Sequence, residues 1–450
     1  MTVKAPRNTI EILAESIRAE DHVGPLTEQV LDESTRKYKD GRRSVFNVAL
    51  AIFIAANLLM SFTTPFDFDK FKFPYEGWAW WTFNDLRKSK AEYNVALLGS
   101  SLMVSAVNNS DAMYMQKELN LANYHHAVYF DKLLAEKFGG TFKTYNLAGP
   151  GQMPSDAYMT LQTMLKTHQR PDVVVYGVAP RDFYDSSMIT PVDTEAFRFL
   201  HRLVNLDDSW GKVFKSPWDK LNFILERDCY LYQNALDIHM LAHEKVESVL
   251  DKVFPKPIGK KQFTYWDRIK LLPEYKAGEI HPLAVVVHPQ DPNEPPTFSD
   301  NTPEYRERYK NPDLHMYKIQ HYFLLKLVEL CKRERIELVV VNMPITLDNI
   351  RVLGSYRYMG YVNALRTMAV EHKVPAFDLN DFALYTQNDY HDGVHLNAFG
   401  GNKFLHQLVN IMSGTFSTTL ALEASGNHME RRKALAKQAT PHEFKTDIPL

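Results

Sequence analysis

The chain has 450 residues, 45 % hydrophobic and 12 % aromatic, enough for a sizeable core and for two or three domains. Lysine plus arginine (52) nearly balance aspartate plus glutamate (54), and a net charge of −2 argues against a general nucleic-acid binder. The only two cysteines, Cys229 and Cys331, would pair only if the fold brought them together, and no CxxC zinc pattern exists.

Residues 1–43 are polar and charged, with Ile10, Leu13 and Ile17 at the spacing of a short amphipathic helix. The segment ends in a basic cluster, Arg36, Lys37, Lys39, Arg42 and Arg43. Val45 to Phe62 follow without a charge, and about 20 such residues cross a bilayer core as a helix. A transmembrane helix is expected within residues 44–64. The run starts too deep in the chain, and is too long, for a cleaved signal peptide. Basic residues on its N-terminal side predict a cytoplasmic N-terminus, with the rest of the chain outside. Asn47 and Asn57 would be costly against lipid and are expected to face a partner helix.

Residues 65–93 form a juxtamembrane segment dense in aromatics, among them Phe66, Phe71, Phe73, Tyr75, Trp78, Trp80, Trp81 and Phe83. Amphipathic rings collect at a membrane interface, but the same residues also build cores. Both readings stand on the sequence.

Asn94-Val-Ala-Leu-Leu-Gly-Ser-Ser-Leu102 reads as a buried strand ending in a tight turn that opens a helix. A serine there is either a helix cap or a nucleophile at the carboxyl edge of a sheet. Further strand signals occupy Phe142–Leu147, Asp172–Gly177, Ile336–Asn342 and Val374–Asp378. Helical patterns run from His125 to Phe138, Ala157 to Thr167, Leu314 to Arg333 and Gly360 to Glu371. This alternation predicts an α/β fold with a parallel sheet covered on both faces. Ser101, Gly151, Arg181 and Asn342 would follow the ends of the first four strands.

Residues 183–312 break the rhythm with three tryptophans, long charged helices and a proline-rich stretch, and read as an insertion or cap. From Gly414 onward the chain loses clear periodicity. A C-terminal tail is expected over 413–450, with a basic helical stretch at Met429–Gln438 and mobile last residues.

Asn388-Asp-Tyr-His-Asp-Gly-Val-His-Leu-Asn397 supplies the second half of a site. A glycine-containing turn can present Asp392 and His395 on one side. A serine hydroxyl needs an imidazole to take its proton, and the imidazole a carboxylate to fix its tautomer. Metal is the competing chemistry, since Asp389, His391, Asp392 and His395 include two histidines four apart. Gly393 and the Asn388-Asp389 pair make the helix that such a site needs improbable.

These residues resemble the SGNH hydrolase superfamily. Gly99-Ser-Ser-Leu102 is similar to its GDSL motif, with Ser101 in the nucleophile position, and Asp392-Gly-Val-His395 to its terminal DxxH block. Asn146-Leu-Ala-Gly-Pro-Gly151 resembles its second block. The resemblance covers residues 94–182 and 335–412, and the wider domain is placed at 94–182 and 313–412. It implies a three-layer, flavodoxin-like parallel-sheet domain and a Ser101–His395–Asp392 triad. It also implies an oxyanion held by Gly151, and no cofactor or metal. The third block departs: Gly177-Val-Ala-Pro-Arg-Asp182 carries Arg181 where the superfamily has asparagine. Arg181 is either an oxyanion donor or a structural partner of Asp182 or Asp185. Ser100, Asp182 and Asn342 are the candidate substrate-binding residues.

The membrane helix and the GSS form resemble an anchored branch of the superfamily that helps D-alanylate teichoic acids or O-acetylates alginate. That likeness implies acyl chemistry on a cell-envelope polysaccharide, beside a membrane-bound O-acyltransferase. The alternative is a catalytically weak module that keeps the fold for polysaccharide binding or assembly.

Overall fold

A computed structural model describes residues 45–66, 68–72, 77–167, 169–253 and 286–439. The basic cluster at residues 36–43, the amphipathic pattern of residues 10–17, Phe73, Tyr75 and the last residues of the chain lie outside the described residues. The chain divides into two compact units, Met1–Phe68 with Leu221–Lys245, and Asp69–Lys220 with Val246–Leu450.

The larger unit is built on five parallel strands: β1 Val95–Gly99, β2 Thr144–Asn146, β3 Val173–Val178, β4 Glu337–Asn342 and β5 Ala376–Asp378. Their spatial order is β2-β1-β3-β4-β5, the flavodoxin-like winding. Every residue of β1, β2 and β3 is buried, as expected of apolar strands covered on both faces. Gly99 pairs with Gly177, and Val178 with Asn342, so the carboxyl ends of β1, β3 and β4 lie level.

α1 is Val45–Thr63, described below. α2 (Trp78–Lys88) precedes the sheet, and α3 (Ser101–Met115), α4 (Val128–Phe138) and α5 (Pro154–Lys166) follow its first two strands. α6 (Leu314–Glu334), α7 (Ser355–His372), α8 (Ala398–Ser413) and α9 (Phe416–Ala439) complete the set used here. α3, α4, α8 and α9 pack together as one layer; α5 and α6 pack as the other. Asp313 caps α6 by accepting the His315 N–H, and Pro154 opens α5, whose Asp156 reaches back to the Met153 N–H at 2.9 Å. The expected tail begins instead with α9, which packs on α4 and β4. The face it buries is Thr418, Leu422, Ser425, Gly426 and Met429, mostly small or polar residues that give no apolar periodicity.

Part of the aromatic segment builds the core. Trp78, Trp81 and Phe83 are buried at 7 %, 4 % and 1 % exposure in the core, whereas Phe62 and Phe66 stay exposed at 85 % and 43 %.

In the smaller unit, α1 is long and apolar enough to cross a membrane. Asn57, expected to face a partner helix, bonds to a turn of the same chain. Its Oδ1 accepts the Leu231 N–H at 3.0 Å and the Cys229 thiol at 3.2 Å. Both cysteines are free.

Candidate active site

β1 ends at Gly99, whose φ is +148°. A Cβ there would lie 2.8 Å from the Gly177 oxygen and 2.9 Å from Met103 Cβ, so only glycine fits this close approach of strands and helix. The turn is pinned by Gln152, whose Oε1 accepts the Gly99 N–H at 2.8 Å while its Nε2 donates to Leu147 O. Ser100 then takes the N-cap position and Ser101 is the first residue of α3. Ser100 is the capping residue, yet its hydroxyl makes no capping bond.

The Asp392 turn is built by its own side chain. Asp392 Oδ1 accepts the N–H groups of Val394 and His395, both at 2.9 Å. Asp392 Oδ2 meets His395 Nδ1 at 2.7 Å, and His395 Nε2 meets Ser101 Oγ at 2.8 Å. Burial raises the Asp392 carboxyl, but the hydrogen bonds and charge of His395 and the two backbone N–H groups outweigh it, leaving the carboxyl below its ordinary range. Asn397 locks the far side, accepting from Phe399 and Gly400 to start α8. Ser105 and Asn109 of α3 both donate to Leu396 O, at 2.8 and 3.1 Å. The helix that begins at Ser101 is thereby tied to the loop that carries His395.

The second loop runs from β2 to Gly151, where φ is +73°. Asn146 Oδ1 accepts the Ala148 N–H, Gly149 N–H donates to Gly99 O, and Trp78 Nε1 donates to Ala148 O at 2.9 Å. A Cβ on Gly149 would lie 2.9 Å from the Trp78 ring. The aromatic segment therefore buttresses the loop that would hold an oxyanion. Among the described residues no backbone carbonyl outside the helices and strands accepts from the Ser101 or Gly151 N–H.

Arg181 is 7 % exposed and engages several partners. Its Nε meets Asp185 Oδ2 at 2.9 Å, and its Nη1 donates to Gly151 O at 3.0 Å and lies 3.7 Å from Asp182 Oδ1. Arg308 also reaches Asp185, at 2.6 Å. The ideal Cβ position of Gly151 is 3.5 Å from Arg181 Nη2, which places that end of the guanidinium beside the candidate oxyanion loop.

The three candidate substrate-binding residues, Ser100, Asp182 and Asn342, are all buried. Asp182 is fully buried; Oδ2 accepts the Ala179 N–H at 2.9 Å. Burial pushes its carboxyl up to about 7 against the opposing charge of Arg181. Ser100 is 2 % exposed, and its Oγ and Asp182 Oδ1 both lack a well-formed hydrogen bond, although Ser100 is near enough to favour the Asp182 carboxylate. Asn342 spends both amide donors on Tyr358 and Asp378, and its oxygen accepts from Tyr361. A polar residue after a buried strand can serve the core as well as a ligand, and Asn342 makes its bonds to Tyr358, Tyr361 and Asp378.

Of the four residues weighed for metal, Asp389 turns to Lys403 at 2.8 Å and to Thr386, while Asp392 and His395 hold each other. Among the described residues no three histidine, cysteine, aspartate or glutamate side chains converge as a metal site.

Sequence reasoning missed the wall supplied by residues 299–309. Asn301 Oδ1 accepts the Gly393 N–H at 2.9 Å, and Ser299 N–H donates to His391 O. Tyr305, 5 % exposed, lies under the charges of Arg181, Arg308, Asp392 and Asp182; burial chiefly raises its phenol. No spacing linked this segment to the Asp392 loop, 92 positions on from Asn301 to Gly393.

No protein-family model matches the chain, and no curated protein matches it. Among solved structures it is similar to the crystal structure of a candidate acylhydrolase from Bacteroides fragilis, with 11 % identity and a TM-score of 0.30 over 76 % of this chain and 98 % of that one. A likeness at that score carries no argument about the site.

Proposed function

We propose that the chain is a membrane-anchored serine acyltransferase or esterase of SGNH type, acting on O-acyl groups of a cell-envelope or secreted polysaccharide. The observation that carries the proposal is the line of hydrogen bonds Ser101–His395–Asp392, at 2.8 and 2.7 Å. In the proposed reaction His395 Nε2 takes the Ser101 proton as Oγ attacks the acyl carbonyl. Asp392 orients His395 and stabilises the imidazolium. The Ser101 and Gly151 N–H groups hold the oxyanion, with Arg181 Nη2 as the third donor. The tetrahedral intermediate expels the donor's oxygen, which takes the proton back from His395, and leaves an acyl-Ser101 ester. A sugar hydroxyl or a water then attacks that ester, with His395 again as base.

The proposed placement is a single span with a cytoplasmic N-terminus, following the basic residues before α1. The catalytic unit would then work outside the cytoplasm, where a membrane-bound O-acyltransferase would supply acyl groups. Treatment with a fluorophosphonate probe, followed by acetyl transfer or release on acylated oligosaccharides, tests the chemistry. Absence of labelling in the folded protein would overturn it.

One observation favours a second reading. Arg181 stands where the superfamily carries asparagine and is paired with Asp185. A catalytically weak polysaccharide-binding or assembly module would tolerate that pairing. Such a protein would bind acylated polymer but leave the probe unreacted.

A further inference from the structure

β1 and β2 pair in parallel as far as Leu97 and Asn146, and the Leu147 N–H carries the ladder on to Leu97 O at 2.8 Å. By the same pattern the next rung would join the Gly99 N–H to Leu147 O, and the Gly149 N–H to Gly99 O. The second of these bonds is present, at 3.0 Å. The first is replaced by a side chain. Gln152 Oε1 accepts the Gly99 N–H at 2.8 Å, and Gln152 Nε2 donates to Leu147 O at 3.0 Å. A carboxamide is thus inserted into the ladder, as two bonds in place of one.

The insertion suits an amide and little else. Gly99 offers a donor and Leu147 an acceptor, so the bridging group must accept at one end and donate at the other. Gly99 and Leu147 are buried, and Gln152 itself is 4 % exposed. Buried backbone groups need partners, and here one side chain serves both.

The rung lies at the point that matters for the proposed chemistry. Ser101 is two residues beyond Gly99, and Gly151 is the residue before Gln152. The Gln152 N–H closes the second loop onto Gly149 O at 3.0 Å, and the Trp78 ring confines Gly149, whose Cβ would meet it at 2.9 Å. The carboxamide therefore sets how far the loop of Gly151 stands from the turn of Ser101. Two N–H groups stabilise one oxyanion only when both reach the same point.

We infer that Gln152 is a positioning residue, whose carboxamide in the β1–β2 ladder fixes the spacing of the Ser101 and Gly151 N–H groups. This inference rests on the reading of Ser101 as the nucleophile.

The test uses the full chain in detergent micelles and a fluorophosphonate probe. Ser101 Oγ would attack phosphorus and expel fluoride, with His395 taking the hydroxyl proton and the phosphoryl oxygen in the oxyanion position. Labelling rates at several probe concentrations separate bond formation from probe binding. Gln152→Ala should slow bond formation by about 10²–10³, as losing an oxyanion donor does, with probe binding unchanged. Gln152→Glu keeps the length and the acceptor for Gly99, but can donate to Leu147 O only when protonated. Its labelling rate relative to the wild type should therefore fall as pH rises. Melting temperatures are measured on the same samples, and labelling well below them. Variants that melt lower yet label at the wild-type rate would overturn the inference and leave Gln152 a scaffold residue. If Gln152→Ala does not fold, Gln152→Glu decides alone, and a rate ratio independent of pH overturns the inference. A folded wild type that is never labelled overturns the reading of Ser101, and the inference with it.

Discussion

His395 Nε2 lies 2.8 Å from Ser101 Oγ although 294 positions separate the two residues. The join is made by packing. A Cβ on Gly401 of α8 would come within 2.3 Å of Ala106 O in α3, so the two helices touch backbone to backbone. Ser105 and Asn109 complete it through Leu396 O.

Ser101→Ala should abolish fluorophosphonate labelling, and acyl turnover should fall by at least about 10³. Ser100→Ala should retain labelling, because Ser100 is buried and faces Asp182 rather than His395. Asp392→Asn should cost about 10⁴ in kcat with the fold intact, since it leaves His395 without its orienting carboxylate. Labelling and circular dichroism on the same samples separate chemistry from folding.

Arg181→Ala should lower kcat by about 10²–10³ if Nη2 serves the oxyanion. Asp185→Asn removes the ion pair but keeps the guanidinium. A loss of kcat in the first variant and only of melting temperature in the second assigns Arg181 to the reaction. Equal melting losses with unchanged kcat would assign it to the scaffold.

Tyr305→Phe removes a buried hydroxyl that lies among the charges of Arg181, Arg308, Asp392 and Asp182. Stability should be unchanged. Loss of a substrate contact should raise KM by roughly 5–10-fold, the equivalent of one hydrogen bond of about 1 kcal/mol. An unchanged KM would remove Tyr305 from the binding surface.

Asp156 is buried with its carboxyl raised from 3.8 to about 7, chiefly by burial. A raised folded-state value means that stability is full below about 3.8 and declines as pH rises to about 7. The melting temperature of the wild type should therefore fall between pH 4 and pH 8 by more than that of Asp156→Asn. The asparagine oxygen can still accept the Met153 N–H. Parallel curves for the two proteins would refute the assignment.

The sheet was legible because β1, β3 and β4 are unbroken apolar runs and each is followed by a turn. Ser101 and the Asp392 turn were legible because both sit at glycine-bearing turns, and Asp392 makes its bonds locally. The bonds of Asn342 to Tyr358, Tyr361 and Asp378 were not legible, because sequence cannot tell which direction a side chain takes from a strand end. Gln152 and Trp78 escaped notice because their roles are bonds to other loops, across 53 and 70 positions. Asn301 and Tyr305 were hidden for the same reason, inside a stretch with no periodicity of its own. Asn57 was read correctly as needing a partner, but its partner comes from the same chain.

Asn301 reaches the Asp392 turn through a single side-chain bond to Gly393, while Ser101 and His395 are joined by two whole helices. Residues 299–309 are held by more than that bond: the Ser299 N–H donates to His391 O and Arg308 reaches Asp185. Under the proposed reaction this stretch is the place to vary which acceptors enter, with Asn301 and Arg308 kept so that the loop carrying His395 stays in register. A library confined to its remaining positions would test whether the stretch sets acceptor choice.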